Sequence, residues 1–294
     1  MSERIPTAYE MYFGAHSDAG HLEALERSFF RHVGLPNGTW KTTSHRRLDD
    51  LNALVLAHLP RGERLEIMDV AVSSGVSTVE WLEALEGAGI ECEMTAGDAF
   101  VNAYLLSMFG GRLRWLVDRS GRSLQYEVNG RVLIVPLRKR LIPRYLWAVA
   151  LMRAFAWVLA PTLREAARPG VRWGVEWHPL QLVSPSLRNR KHLVVFEDDI
   201  LVDRGYDRRF HVLRAANILN RGYFDEPVLR AMLSNLRERL RDGGLLVVCR
   251  TQTRGGINNG TVFQLDEARR LHVVARLNAG SEIEALALEL PPQL

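Results

Sequence analysis

The segment from Leu65 to Asp98 constrains the fold of this chain more than any other. A short, nearly continuous apolar run, 65–72, is followed by a small-residue loop at 73–75, a helical stretch and a second apolar run that ends at Asp98. An apolar run of this kind is typical of a strand that is covered on both faces. Strand, loop, helix and strand form a βαβ unit, which requires a parallel sheet and a right-handed crossover. We therefore predict an α/β fold.

The same rhythm returns in the last third of the chain. Three further apolar runs predict strands at 192–196, 210–213 and 245–249, and helical spacing predicts a helix over 226–241. The final segments, 261–265, 271–277 and 283–288 around Asn278–Ser281, are typical of an antiparallel hairpin. The predicted fold class is a doubly wound, mostly parallel Rossmann-like sheet with a C-terminal antiparallel hairpin.

The region between the two halves of this sheet differs from its flanks in charge. Between Asp98 and Lys191 there are 16 Lys and Arg against 5 Asp and Glu, and five of the seven tryptophans lie here. Asn129-Gly130 between two apolar runs predicts a two-residue hairpin. Pro143 predicts the start of an apolar helix that runs to about Pro161 or resumes after it as far as Arg168. We predict three parts: an N-terminal helical segment, 1–62; a Rossmann-like core, 63–98 with 192–294; and a basic, tryptophan-rich insertion, 99–191.

The composition excludes several classes of protein. With 47% apolar and 24% charged residues the chain is an ordinary globular protein and is not predicted to be disordered. The longest apolar run, 145–160, contains Arg153 and is shorter than the ~20 residues that span a bilayer. No apolar core of a signal peptide follows Met1. Cys92 and Cys249 lie in predicted strands without paired spacing, which favours small core residues in a reducing compartment. We expect a cytoplasmic protein.

Polar and small residues follow four of the predicted parallel strands. Ligands of open α/β sheets bind at the carboxyl ends of the strands, so these residues are candidates for a binding site. They are Asp69, Ala71, Ser73 and Gly75 at the first strand, Asp98 at the second, Asp198 and Asp199 at the third, and Arg214 and Asn217 at the fourth. The alternative is that they only cap helices and close turns.

The loop after the first strand restricts the type of ligand. It has neither the Gly-x-Gly-x-x-Gly pattern of dinucleotide sites nor a phosphate-loop lysine. A nucleoside without a pyrophosphate therefore fits better than a nicotinamide cofactor. The scattered histidines lack metal-ligand spacing, and no Gly-x-Ser-x-Gly elbow occurs, so we predict no metal and no hydrolase nucleophile.

Several of these motifs resemble those of a known protein family. Three segments are similar to motifs of the class I S-adenosylmethionine-dependent methyltransferases. They are the strand and loop at 67–75, the acidic end of the second strand, and Leu240–Leu246 with its paired glycines. The stretch 210–225 is similar to the fourth motif of chemotaxis-receptor methyltransferases. The resemblance implies S-adenosyl-L-methionine as cofactor, with Asp98 on the ribose, Asp199 and Ile200 at the adenine, and the loop with Asp69, Ala71, Ser73 and Gly75 around the methionine part.

The resemblance implies an enzyme that transfers a methyl group to a small molecule or a peptide. No Asp/Asn-Pro-Pro-Tyr loop occurs at 214–217, so DNA and glutamine amide nitrogen are not expected acceptors. Methyl transfer depends mainly on positioning, because the sulfonium is already activated. Arg214 and Asn217 are the candidates to orient the acceptor, unless they only cap the following helix.

The insertion leaves the function open in one respect. It is either a substrate lid or dimer surface, or a contact with an anionic membrane through 138–161. Nucleic-acid binding is disfavoured, because the aromatic residues lie on an apolar helix and do not alternate with the charges. The alternative to an enzyme is a catalytically inactive methyltransferase-like scaffold that acts through this basic insertion.

Overall fold

The computed structural model describes residues 4–16, 18–35, 41, 45–133, 145–188, 190–202, 205–206, 208–253 and 255–291. The predicted basic cluster at 138–140 and the predicted helix start at Pro143 lie outside the described residues. The chain forms two compact units, one of residues 1–43 and 100–185 and the other of residues 44–99 and 186–294.

The described residues contain seven α-helices and thirteen strands. The helices are α1 (Ala8–Phe13), α2 (Ala19–Arg31), α3 (Asp49–Leu56), α4 (Val76–Gly87), α5 (Leu146–Glu165), α6 (Glu226–Arg239) and α7 (Glu284–Leu288). The strands are β1 (Leu65–Val70), β2 (Cys92–Asp98), β3 (Asn102–Met108), β4 (Leu113–Asp118), β5 (Ser123–Val128), β6 (Arg131–Leu133), β7 (Gly170–Arg172), β8 (Val175–Gln181), β9 (Leu193–Glu197), β10 (Phe210–Ala216), β11 (Leu240–Thr251), β12 (Asn258–Leu265) and β13 (Leu271–Leu277).

The unit of residues 44–99 and 186–294 is built on a seven-stranded sheet in the order β13-β12-β11-β10-β1-β2-β9. The five strands from β9 to β11 are parallel to one another, and β12 and β13 continue the sheet in antiparallel pairs. Helices α3 and α4 pack on one face and α6 and α7 on the other. The prediction of a doubly wound, mostly parallel sheet is confirmed.

The predicted C-terminal hairpin is correct in kind but wrong in one segment. The hairpin is formed by β12 and β13, whereas 284–288 is the helix α7. Ile283, Leu286, Ala287 and Leu290 are buried at helical spacing, and they pack into the same core cluster as α6. Because this spacing places all four side chains on one side of a helix, burial favours α7 over a strand.

The unit of residues 1–43 and 100–185 is built on a six-stranded antiparallel sheet in the order β6-β5-β4-β3-β8-β7. Side chains of β3, β4 and β5 alternate between two apolar clusters. Helix α5 covers one cluster, and α1 and α2 cover the other. The sequence patterns did not predict β3, β4 and β8. Strands β3 and β4 are covered on both faces and therefore do not alternate polar and apolar residues. Strand β8 contains Pro179, and a proline argues against an interior strand.

The predicted N-terminal helical segment, 1–62, is divided between the two units. Phe29 and Phe30 of α2 pack in the cluster that contains Leu105 and Leu116 of the antiparallel sheet. Helix α3 instead packs in the cluster beneath the parallel sheet. The division follows from burial, because each helix covers the apolar face of a different sheet.

Helix α5 does not end at its internal proline. It continues through Pro161 to Glu165. By length and composition the helix could cross a membrane, although the apolar run 145–160 was too short to predict this. Its inner side chains, Met152 and Leu159 among them, are buried in the core of the antiparallel unit. Length alone therefore does not make α5 a membrane span.

The Asn129-Gly130 turn between β5 and β6 supplies a direct test of local backbone strain. Both residues have positive φ, 49° and 72°, and nothing lies within 4 Å of a Cβ placed on Gly130. We expect Gly130→Ala to lower the free energy of unfolding by about 1 kcal/mol through backbone strain alone. The control, Gly87→Ala at the end of α4, has the same open surroundings without positive φ and should raise stability by a few tenths of a kcal/mol. Urea denaturation measures the free energy of unfolding of both variants. Equal changes would contradict the conclusion that positive φ at Gly130 causes the loss.

The two cysteine thiols predict a pH dependence of stability. Both are free and buried, and burial raises the pKa of Cys92 to about 11 and that of Cys249 to about 12. The thiols ionise at lower pH in the unfolded chain than in the folded protein. Their contribution to the free energy of unfolding is therefore complete below the pKa of the unfolded thiols and is lost as pH rises through the pKa of the folded thiols. We expect a thiol reagent at pH 8 to modify neither cysteine until the protein is unfolded. Rapid labelling of native protein would contradict the burial.

Candidate functional site

The loop after β1 has an unusual backbone. Ala71, Ser73 and Gly75 all have positive φ, 55°, 58° and 78°. Such a conformation favours glycine, and a residue with a Cβ adopts it at a cost of about 1–2 kcal/mol. The loop is held by hydrogen bonds from the Val72 amide to the Gly97 carbonyl at 3.1 Å and from the Gly75 amide to the Val72 carbonyl at 2.8 Å. Strained backbone at the carboxyl end of a parallel strand marks a candidate binding site.

Asp98 lies at the carboxyl end of β2 and contacts this loop. The Ser73 amide donates a hydrogen bond to Asp98 Oδ2 at 2.7 Å, and the side chain is 8% exposed. Asp98 is paired in parallel register with Glu197 of β9. The structure thus brings together two of the predicted site elements, the loop of β1 and the carboxylate of β2.

Asp69 and Arg214 face each other across neighbouring parallel strands. They are register partners in β1 and β10, and Arg214 Nη2 lies 2.6 Å from Asp69 Oδ2 while Nε lies 3.0 Å from Oδ1. Thr78 of α4 donates a third hydrogen bond to Asp69 at 2.7 Å. Both side chains of the pair are almost fully buried. The two candidates therefore form an internal bidentate ion pair.

Arg214 donates two further hydrogen bonds within the unit. Nη1 donates to Asn52 Oδ1 at 2.9 Å and Nη2 to the Ser77 carbonyl at 3.0 Å. The guanidinium lies 4.1 Å from the centre of the Trp81 ring, a cation–π contact. These contacts give Arg214 a structural role, and they offer no support for the predicted role of orienting an acceptor.

Asn217 closes a turn at the carboxyl end of β10. It has φ of 64°, its side-chain oxygen accepts from the Thr251 amide at 2.7 Å, and its Nδ2 donates to Thr251 Oγ1 at 3.3 Å. The side chain is half-buried. Asn217 thus bridges the ends of β10 and β11, which is the turn-closing role that the sequence analysis left open for it.

The acidic residues after β9 make separate contacts. Asp198 forms a buried ion pair with Arg239 of α6 at 2.5 Å, and its Cβ packs so closely on Gly97 that any side chain there would meet it at 2.9 Å. Asp199 accepts a hydrogen bond from the Leu201 amide at 3.0 Å. Ile200 is buried in the core with α6. The predicted adenine contact of Asp199 and Ile200 stays a prediction.

Leu187 was not anticipated by the sequence analysis. It lies in a short 3-10 turn, 185–187, and its Cδ2 is 2.6 Å from the position that a Cβ on Gly75 would occupy. Glycine is therefore required at 75 both by its φ and by this contact. The leucine covers the loop at the place where the resemblance puts the methionine part of the cofactor. No motif in the sequence signals this contact, because it joins residues distant in the chain.

The histidines do not assemble a metal site. Among the residues that the structure describes, no group of three or more His, Cys, Asp or Glu side chains has the geometry to hold a metal ion. His211 of β10 is half-buried, and its Nδ1 accepts a hydrogen bond from the Glu66 amide at 3.0 Å. It is therefore a strand histidine bonded to the neighbouring strand.

Comparison with known proteins gives structural likeness only. No protein-family model and no curated protein matches the sequence. N-methyltransferase NodS from Bradyrhizobium japonicum WM9, solved in complex with S-adenosyl-L-homocysteine, is 13% identical with a TM-score of 0.34 and covers 77% of this chain and 72% of that chain. The CurJ carbon methyltransferase is 16% identical with a TM-score of 0.33, over 70% of this chain and 36% of that chain.

A third similar structure is an O-methyltransferase family protein from Burkholderia thailandensis, 12% identical with a TM-score of 0.31, over 71% of this chain and 40% of that one. The chain spans about a third of the length of the CurJ structure and of the citrinin polyketide synthase CMeT domain structure. Likeness at these TM-scores does not decide what this chain does. The fold assignment given above stands on strand order and register.

The Asp69–Arg214 pair predicts a large and non-additive effect on stability. Arg214→Met leaves the buried Asp69 carboxylate without its cation, and we expect a loss of about 3–5 kcal/mol in the free energy of unfolding. Arg214→Met combined with Asp69→Asn should recover part of that loss. The exposed pair Arg276–Glu284 supplies the control, because Arg276→Met should cost less than about 1 kcal/mol. Equal losses at the buried and the exposed arginine, measured by denaturation, would refute the structural role.

Proposed function

We propose that this protein is an S-adenosylmethionine-dependent methyltransferase that acts on a small-molecule or peptide acceptor. One observation carries the proposal: the Asp98 carboxylate at the end of β2 is hydrogen-bonded to the loop of β1, in which residues 71, 73 and 75 have positive φ. A carboxylate beside a loop of small residues is what a nucleoside requires at the carboxyl edge of a parallel sheet. The motif resemblance of 67–75 and 240–246 supports the same assignment.

At the carboxyl edge of the parallel sheet, two features fit the cofactor and a third occupies space that the cofactor would need. Asp98 suits the ribose hydroxyls, and the loop at 71–75 lets the backbone approach a ligand closely. Leu187 packs against Gly75, so a ligand tail over this loop requires the leucine side chain to move. When bound, the cofactor would supply an activated methyl group, and the protein would have to hold it and position the acceptor.

No acceptor residue is assigned in this proposal. Both polar side-chain atoms of Asn217 are hydrogen-bonded to Thr251, and Arg214 is 1% exposed and bound to Asp69. The two buried free thiols are compatible with a reducing compartment, which supports a cytoplasmic location.

Calorimetry with S-adenosylmethionine and S-adenosylhomocysteine tests the proposal. We expect micromolar binding of both, and Asp98→Asn should weaken it about tenfold to a hundredfold, since the charged acceptor is lost while a hydrogen-bond acceptor for Ser73 remains. Glu93→Ala, on the same strand but at its amino end, is the matched control and should bind normally. Absence of binding at millimolar ligand would overturn the proposal, as would unaltered binding by Asp98→Asn.

A second function is favoured by the contacts around Gly75 and Arg214. Leu187 covers the loop, and Arg214 is committed to Asp69, so the site has the internal packing expected of a scaffold that has lost catalysis. Leu187→Ala separates the two functions. For an enzyme, removing the leucine strengthens or preserves cofactor binding; for a scaffold, neither the natural chain nor this variant binds the nucleoside.

A further inference from the structure

The outward face of α5 is apolar although it is exposed. Trp147 is 60% exposed and Trp157 is 78% exposed. With Ala150, Ala154 and Pro161 they recur at spacings of three and four residues, which places them along one side of the helix. Two large aromatic side chains separated by alanines thus form one continuous strip, which we term the outer strip.

The opposite side of α5 is fixed to its own sheet. Met152, Ala156, Leu159 and Leu163 are buried with Trp115 and Tyr126 of the antiparallel sheet. A helix that crossed a bilayer would have to leave this core and expose the sheet face. Helix α5 is therefore held so that its exposed side, which contains the outer strip, is available to an apolar environment, and it is suited to lie along a surface.

The charges around the outer strip are almost all positive. Over residues 145–174 the acidic residue is Glu165, against the four arginines Arg153, Arg164, Arg168 and Arg172. Arg153 and Arg164 are exposed on α5 itself. Arg172 donates a hydrogen bond to Thr162 at 3.2 Å, so the arginines that follow the helix stay close to its C-terminal end.

We propose that the outer strip of α5 docks onto the headgroup region of an anionic lipid bilayer, with the helix parallel to the membrane plane. Tryptophan prefers the interface between hydrocarbon and water, because its ring is apolar and its N–H is polar. Arginines beside the strip are attracted to anionic headgroups. This surface is independent of the proposed methyl-transfer site.

A second copy of this chain is the less suitable occupant. A two-fold antiparallel pair of α5 helices brings the same flank of each helix together. Arg153 lies beside the middle of the strip, so it would stand next to Arg153 of the other copy. Like charges at such a contact oppose association, whereas an anionic membrane neutralises them.

Co-sedimentation of the full chain with phosphatidylcholine vesicles, with and without phosphatidylserine, tests the proposal. We expect binding to the anionic vesicles at low salt and weaker binding as salt is added. Trp147→Ser with Trp157→Ser should lower the partition coefficient about tenfold or more through the apolar contribution. Arg153→Ser with Arg164→Ser should lower it about 25-fold on anionic vesicles, at about fivefold for each arginine.

The control variant is Ile257→Ser, which removes an exposed apolar side chain that is 50% exposed in the other unit. It should bind vesicles like the natural chain. Circular dichroism of each variant distinguishes loss of docking from loss of folding, since all the altered side chains are exposed.

Three outcomes would overturn the proposal. The first is absence of binding to anionic vesicles at low salt. The second is unchanged binding by the folded double tryptophan variant. The third is a dimer of the natural chain in analytical ultracentrifugation that the double tryptophan variant abolishes, because the outer strip would then be covered by a second copy.

Discussion

The buried ion pair of Asp69 and Arg214 links more elements of the parallel sheet than any other contact described above. It joins β1 to β10 at the centre of the sheet, and through Thr78, Ser77 and Trp81 it also fixes α4. Asn52 extends the same network to α3. A buried charge is tolerated only when it is paired and its hydrogen bonds are satisfied, so these elements must assemble together. The position of the β1 loop, and hence of the candidate site, depends on this network.

The candidate site shows how the same residue types serve either a ligand or the fold. Carboxylates and small residues follow the strands as the sequence predicted, but each carboxylate has a different partner. Asp69 and Asp198 are bound to buried arginines, whereas Asp98 contacts the backbone of the loop. The contact of Asp98 with the loop of β1 is the observation on which the proposed function depends.

The two units illustrate what periodicity can and cannot predict. The βαβ unit at 65–98 and the Asn129-Gly130 turn are local, because their signals lie within a few residues of each other. Strands β3 and β4 escaped prediction because both faces of their sheet are covered, by α5 on one side and by α1 and α2 on the other. Helix α7 was mistaken for a strand for a different reason: it has only five residues, and the periodicity of so short an apolar segment does not distinguish a helix from a strand.

The sequence by itself determined the parallel sheet, its order of strands and helices along the chain, the tight hairpin turn and the apolar character of α5. Only the tertiary structure decided that Arg214 pairs with Asp69, that Leu187 covers Gly75, and that the two tryptophans of α5 face outward. The physical reason is the distance along the chain. Backbone conformation follows from nearby side chains, whereas the partner of a charge and the burial of a side chain depend on residues that only folding brings together.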